Sequence, residues 1–424
     1  MTAKNASIIN FGCRLNEYES RALSEDFKKN GFIISGNDRA DFIVINTCTV
    51  TNRADFKNRS AIRKIHNLNP KAKIIVTGCY ATTDAEEIKK IPGVYSVINN
   101  RNKSQITNYL QNKPLTSGSS NLFNYTAASS KDKARAYIKI QDGCNRSCAY
   151  CKIPAARGKA ISRQKNDIID EAKFLIENNF KEIILTGINI GSFKNSDRYK
   201  LPHLLEDLLN IKGRFLIRIS SIEPGNIIKE IRPFFSESSK LCRFMHIPLQ
   251  SGSQKTLKSM RRGYSLIKYA DIIENLREQC PEMHIGTDII TGYPGETDSD
   301  FNDTLKFLTE MNFANIHAFP FSKRKNTPID DLLKEQTSTL HEIQNSEKKE
   351  RISAILEIKE EGIKKYIRNT ANTCFRGIVE SITENSVNII TENYLKFDLK
   401  NENKLKKGDL INISYDEMGK ASYL

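Results

Sequence analysis

A three-part α/β architecture is predicted for this chain of 424 residues: an N-terminal doubly wound parallel-sheet domain, a central partial (β/α)6 barrel and a small C-terminal β-barrel. Three observations predict it. Short apolar runs alternate with amphipathic stretches through residues 1–110, and the alternation resumes in a longer series from Tyr137. Residues 371–424 then show strand periodicity with only turn residues between the strands. Strand–helix alternation demands parallel strands covered by helices, whereas consecutive short strands favour an antiparallel barrel.

The elements follow in order. In residues 1–110, ASIINF, DFIVINT, AKIIVTG and YSVIN have the length and composition of buried strands, and RADFKNRSAIRKIHNL has helical spacing. Residues 111–133, QNKPLTSGSSNLFNYTAASSKDK, hold Pro, Gly and many Ser and read as a linker. Residues 134–370 contain six strand candidates: YIKI, EIILTG, FLIRISS, FMHIPL, HIGTDIIT and NIHAFPF. Helical patterns follow them, among them DIIDEAKFLIENNF and DFNDTLKFLTEM. Six βα units are too few for an eight-stranded barrel and suit an open one, with ligands at the carboxyl ends of its strands. The helical run EIQNSEKKERISAILEIKEEGIKKYI leads into FRGIVESI, SVNIIT, YLKFDL and DLINISY, the strands of the predicted β-barrel over 371–424.

A chain this long exceeds one compact core. Hydrophobic residues at 39% and charged residues at 27% describe an ordinary globular composition. The opening MTAKNASIIN has no apolar leader core, and no run approaches the about 18 apolar residues of a membrane span, so a cytoplasmic location without a membrane partner is expected. Nine cysteines, an odd number, argue against a closed disulfide framework and favour metal or catalytic use. A net charge of +15 and a pI near 9.2 point to a polyanionic partner or to a generally Lys-rich proteome.

The segment QDGCNRSCAYC places Cys144, Cys148 and Cys151 in a C-x3-C-x2-C run just after the first barrel strand. Three closely spaced thiolates suit an iron–sulfur cluster that keeps one iron open, since such clusters take four cysteines when closed. A zinc site completed by a distant residue is the alternative. A second group depends on topology. Cys13, Cys48 and Cys79 each end a predicted parallel strand, at separations of 35 and 31 residues. Parallel strands present their carboxyl ends on one edge, so these thiols become neighbours. One buried Cys after a strand is ordinary packing, but three repeats of the arrangement predict a second three-thiolate site. Cys242, Cys280 and Cys374 read as small hydrophobes, and His246, His284 and His317 as interior residues.

At this point the motifs resemble a known family. The Cys144–Cys148–Cys151 loop, with Tyr150 before its last Cys, resembles the cluster loop of radical S-adenosylmethionine enzymes. Its combination with three N-terminal cysteines and a β-rich tail resembles the methylthiotransferases over nearly the whole chain. ARGKAISR, LTGINIGSF, RISSIEP, IPLQSGSQKTLKSMRRGY and IGTDIITGYPGET add to the likeness. FGCRLNEYES and INTCTVTNRADFKNR look like the branch acting on N6-threonylcarbamoyladenosine in tRNA. Ala155 is a departure, standing where relatives commonly carry an aromatic residue.

The resemblance implies a radical SAM core over 134–370 and a TRAM-like RNA-binding module over 371–424. It implies two [4Fe-4S] clusters: one on Cys144, Cys148 and Cys151 that binds S-adenosylmethionine and generates a 5′-deoxyadenosyl radical, and an auxiliary one on Cys13, Cys48 and Cys79 that delivers sulfur. S-adenosylmethionine then serves as radical source and methyl donor, and a methylthio group enters C2 of the adenosine at position 37 of tRNA. An aromatic C–H has no acidic proton for a base, which is why cofactor-borne radical chemistry is required. Tyr150, Gly187, Glu223 and Gln250 are implied contacts of S-adenosylmethionine, with a plain turn at Gly187 and a surface carboxylate at Glu223 as alternatives. The partners implied are tRNA rather than DNA, an electron donor of the flavodoxin or ferredoxin class, and a sulfur source. Arg53, Lys57, Arg59, Arg63 and Lys64 crowd the helix after Cys48 and predict a phosphate-binding face, a solvated face being the alternative. Residues 371–424 hold seven Lys/Arg against eight Asp/Glu, so RNA contact there needs Lys404, Lys406 and Lys407, or stacking on Tyr394 and Phe397. The competing readings are a sibling methylthiotransferase acting on isopentenyladenosine or on a ribosomal protein, and a non-catalytic iron–sulfur RNA-binding protein.

Overall fold

The computed structural model describes residues 4–114, 123, 134–196, 198–335, 340–401 and 404–424. Apart from 111–114 and Phe123, the expected linker 111–133 lies outside the described residues.

Five parallel strands form the N-terminal sheet: β1 (Asn5–Asn10), β2 (Ile33–Ile34), β3 (Phe42–Thr47), β4 (Lys73–Gly78) and β5 (Val94–Val97), in the order β2-β1-β3-β4-β5. The apolar runs are continuous because both faces are covered. Phe42 and Val44 pack with Leu23 and Phe27 of helix α1 (Arg14–Lys29) on one side. Ile43 and Ile45 pack with Ile62 and Ile65 of helix α2 (Asn52–Leu68) on the other. Thr51 starts α2 by accepting a hydrogen bond from the Ala54 amide at 3.1 Å. β2, only two residues long, was too short to show a period in the sequence.

All six expected barrel strands form in the central part. β6 (Ala136–Lys139) is followed by two short strands, β7 (Gln141–Asp142) and β8 (Ile161–Ser162), which pair antiparallel and tie the base of the intervening loop. β9 (Glu182–Thr186), β10 (Leu216–Ile219), β11 (Phe244–His246), β12 (His284–Thr291) and β13 (Asn315–Pro320) complete the series. They form two parallel trios, β6-β9-β10 and β11-β12-β13. A parallel bridge between Ile217 and Leu241 joins the trios, and the Cys242 amide donates to Ile217 O at 2.9 Å. The barrel stays open between β6 and β13 among the described residues. α1 packs beside β6, where Glu19 pairs with Lys139 at 2.9 Å.

The tail forms an antiparallel sheet: β14 (Phe375–Ile382), β15 (Ser386–Thr391), β16 (Lys396–Lys400), β17 (Leu410–Tyr415) and β18 (Ala421–Tyr423), in the order β16-β15-β14-β17-β18. It nearly closes into a barrel, with the Tyr423 hydroxyl on β18 donating to Lys400 O on β16 at 2.6 Å. The turn after β15 packs against the amino-terminal ends of β9 and β11. There Arg218, fully buried, donates to Thr391 O and Glu392 O at 3.0 and 2.9 Å and to Glu182 at 2.7 Å. No helix among the described residues is long and apolar enough to cross a membrane.

Candidate active site

The N-terminal triad assembles as strand polarity requires. Cys48 and Cys79 directly follow the carboxyl ends of β3 and β4, and Cys13 lies just beyond that of β1. Gly78 holds φ +101°, and a Cβ there would stand 2.3 Å from Thr47 O, so only glycine lets the chain turn into Cys79. Burial pushes the Cys48 thiol up to about 12. Thr47 pairs with Gly78, and the Phe11 amide donates to Asn46 O at 2.9 Å, so the residues that follow, Cys48, Cys79 and Cys13, sit side by side at one sheet edge. Cys13 is exposed as a residue, while Cys48 and Cys79 are buried.

The second triad sits on the loop tied by β7 and β8. Gly143 enters it at φ +70°, where a Cβ would lie 2.1 Å from Lys159 O. The Cys144 amide donates to Gly158 O at 3.0 Å, and the Cys151 amide to Cys148 O at 3.1 Å. Burial raises the Cys151 thiol to about 12.

Among the described residues, His246, Asp288 and His317 bring potential ligand atoms within 4.8 Å of one another. Three thiols on one loop, or on one sheet edge, fit a multi-iron cluster with one iron left open.

Each triad also has a buried arginine donating to one of its sulfurs. Arg157 Nε donates to Cys79 Sγ at 3.3 Å, and Arg262 donates to Cys148 Sγ at 3.2 Å. Arg157 further binds Asn16 (2.7 Å), Glu19 (2.9 and 3.1 Å) and Asp142 (3.0 Å). Lys103 and Lys139 hold the same Glu19 at 2.6 and 2.9 Å. Burial opposes ionisation of Glu19, but Arg157, Lys103 and Lys139 hold its carboxyl well below the usual range. This network crosses from α1 to the loop carrying the second triad. Sequence reasoning missed it; ARGKAISR and MRRGY, noticed only as family motifs, contain both arginines.

The other expected site residues are placed as follows. Tyr150 packs beside the buried Ala149, Met260 and Tyr293. Gly187 lies on the wall of a cavity of about 550 Å³, but a Cβ there would meet Gln141 O at 2.9 Å, so packing within the fold by itself requires glycine. Glu223 is no bare surface carboxylate, since it pairs with Arg262 at 2.7 Å. Gln250 adopts φ +78° and bridges to β12 through Asp288 O and the Ile290 amide. On α2, Arg53, Lys57, Arg63 and Lys64 are exposed, whereas Arg59 is turned to Tyr80 (2.7 Å) and Glu87 (3.2 Å). Phe56, 63% exposed, stands among these cations and escaped notice in the sequence. Ala155 is exposed on helix Ile153–Arg157.

Four expectations need correction. Cys374 is exposed, unlike the buried Cys242 and Cys280. His317 lies at the cavity wall with its side chain 46% exposed, and shares Asp288 with His246 at 3.3 and 3.0 Å. Burial opposes it, but hydrogen bonds from His246 and His317 hold the Asp288 carboxyl well below the usual range. Tyr394 and Phe397 are engaged within the fold: Tyr394 stacks on Phe244 at 4.5 Å and Phe397 on Tyr415 at 5.3 Å.

An open βα barrel with a three-cysteine loop after its first strand, preceded by a three-cysteine parallel sheet, defines a radical S-adenosylmethionine enzyme with a second thiol site. Residues 138–308 match the Radical SAM superfamily, and residues 5–99 match Uncharacterized protein family UPF0004. The threonylcarbamoyladenosine tRNA methylthiotransferase MtaB of Bacillus subtilis is 35% identical over 404 residues, covering 91% of this chain and 88% of its own. The protein of that name from Aquifex aeolicus is 33% identical over 413 residues, covering 95% and 98%. The tRNA-2-methylthio-N(6)-dimethylallyladenosine synthase of Natranaerobius thermophilus is 30% identical, covering 90% and 87%. The chain belongs to the radical S-adenosylmethionine methylthiotransferase family. Among solved structures, the radical S-adenosylmethionine methyltransferase TsrM from Kitasatospora setae shares the fold, with a TM-score of 0.55 at 12% identity over 77% of each chain.

Proposed function

We propose that this protein inserts a methylthio group at C2 of N6-threonylcarbamoyladenosine at position 37 of tRNA. The observation that carries the reading is the cavity of about 550 Å³ that reaches both Cys13 of one triad and Gly187, Ser220 and Ser221 at the strand ends of the barrel. Chemistry initiated at the barrel and sulfur delivered from the N-terminal sheet then meet in one chamber. In this reading Cys144, Cys148 and Cys151 hold the cluster that binds S-adenosylmethionine, and Cys13, Cys48 and Cys79 hold the auxiliary cluster. When bound, these groups supply the hydrogen-abstracting radical and the methylthio sulfur. Tyr150, Gly187, Glu223 and Gln250 line the S-adenosylmethionine site, with Glu223 fixed by Arg262. Arg53, Lys57, Arg63 and Lys64 attract the phosphates of the anticodon arm, and Phe56 offers a ring for stacking. An electron donor of the flavodoxin or ferredoxin class and a sulfur source complete the cycle in the cytoplasm.

Anaerobic reconstitution tests this. Cys148→Ala is expected to abolish both S-adenosylmethionine cleavage and methylthiolation, whereas Cys13→Ala keeps cleavage and loses methylthiolation. Equal loss of cleavage in both variants contradicts the division of labour. Nucleoside mass spectrometry of tRNA from a deletion strain checks the substrate, since an unchanged pool of the unmethylthiolated threonylcarbamoyl base rules it out.

A further inference from the structure

Arg14 directly follows Cys13 and opens α1, and it lines the same cavity. Among the described residues, four charged or titratable side chains other than Cys13 and Tyr394 face that space: Arg14, His246, Asp288 and His317. Asp288 is committed to the two histidines. Arg14 donates to the Tyr394 hydroxyl and lies 5.3 Å from the centre of that ring, and it forms no ion pair among the described residues. Arg14 is half-buried, and the buried arginines are engaged differently. Arg157, Arg218, Arg262 and Arg324 each pair with a carboxylate, those of Glu19, Glu182, Glu223 and Asp55. A guanidinium carries five N–H donors in a rigid fork, and one bond to a phenol leaves most of them free for a planar, bidentate acceptor.

We propose that Arg14, steadied by Tyr394, takes the carboxylate of the threonyl group and so selects the threonylcarbamoyl base over one with an apolar N6 substituent. The inference rests on the substrate assigned under Proposed function. The position suits the task. C2 must lie near the sulfur-donating triad, and the substituent on N6 of the same ring then falls within reach of the residue next to Cys13. An N6-isopentenyl group has no charge to offer and would leave the guanidinium without an acceptor. Tyr394 lies in the turn between β15 and β16 and holds φ +67°, a left-handed conformation that is uncommon for a non-glycine residue.

The test compares an anticodon stem-loop RNA carrying N6-threonylcarbamoyladenosine with the same RNA whose threonyl carboxylate is a methyl ester. The full-length reconstituted enzyme is used as wild type, Arg14→Gln and Arg14→Lys. Wild type is expected to lose about 10- to 100-fold in kcat/KM on the ester, the value of a charged hydrogen bond, with most of the change in KM. Arg14→Gln should show that loss on the acid RNA and almost no further loss on the ester, and Arg14→Lys should keep part of the preference. Iron content is measured alongside. If Arg14→Gln loses its cluster, the wild-type comparison and Arg14→Lys decide. Equal turnover of acid and ester by wild type, or an undiminished preference in Arg14→Gln, overturns the role of Arg14. Failure of wild type to methylthiolate the acid RNA overturns the substrate assignment instead.

Discussion

Replacing Glu19 by Gln is expected to be the most damaging conservative change in the N-terminal domain. Glu19 and Asp142 face Arg157, Lys103 and Lys139, and all five side chains are at most 2% exposed. Two carboxylates against three cations leave a local excess of one positive charge among the described residues. Glu19→Gln raises that excess to two and strips three ion pairs, so the loss belongs to the class of an uncompensated buried charge, about 3–5 kcal/mol. Arg157→Met leaves two carboxylates against two ammonium groups. It adds no unbalanced charge, and its cost is that of the charged hydrogen bonds to Glu19 and Asp142, about 1.5–3 kcal/mol for each one the two ammonium groups do not replace. Urea unfolding of the cluster-free protein, followed by far-UV circular dichroism, measures both; the chain has no Trp to report by fluorescence. A loss below about 1 kcal/mol in Glu19→Gln refutes the charge count.

Three more outcomes are expected. The folded-state pKa of Glu19 is depressed, so its stabilisation is complete above the unfolded value of about 4.3 and disappears as pH falls through the folded value; the acid limb of stability against pH should be shallower in Glu19→Gln. Gly143→Ala forces a Cβ to 2.1 Å from Lys159 O at φ +70°, so purified protein should lose the iron of one cluster while far-UV circular dichroism stays close to wild type. Reversing Lys57 and Arg63 to Glu should weaken tRNA binding and make log K fall less steeply with log salt, by about 0.7–0.9 for each phosphate no longer neutralised, whereas Arg59→Ala should do less because Tyr80 and Glu87 occupy that guanidinium.

The parallel strands read from the sequence were legible because each is short, apolar and set between amphipathic helices, and the tail strands because they alternate between turns; β2, β7, β8 and β18, of two or three residues each, left no period. The two groups of three cysteines were legible for different reasons: one by local spacing, the other because parallel strands share an edge. What escaped was side-chain pairing between elements far apart in sequence. Arg157 meets Glu19 across 138 residues and Arg14 meets Tyr394 across 380, and neither pair leaves a local pattern. Arg59 looked like its basic neighbours because composition does not show which way a helical side chain leans. Glycine at 187 was expected for ligand approach, whereas Gln141 O already demands it.

The turn carrying Thr391, Glu392 and Tyr394 makes the C-terminal sheet part of the wall of the cavity proposed above as the reaction chamber. Its main-chain oxygens cap Arg218, and Tyr394 covers Phe244 while touching Arg14. Cutting the chain after residue 370 would unseal the base of the barrel, admit water to a space where a carbon radical must survive, and release the guanidinium beside Cys13. Exchanging this sheet for that of a relative with another nucleoside preference would be a graft into the reaction chamber itself.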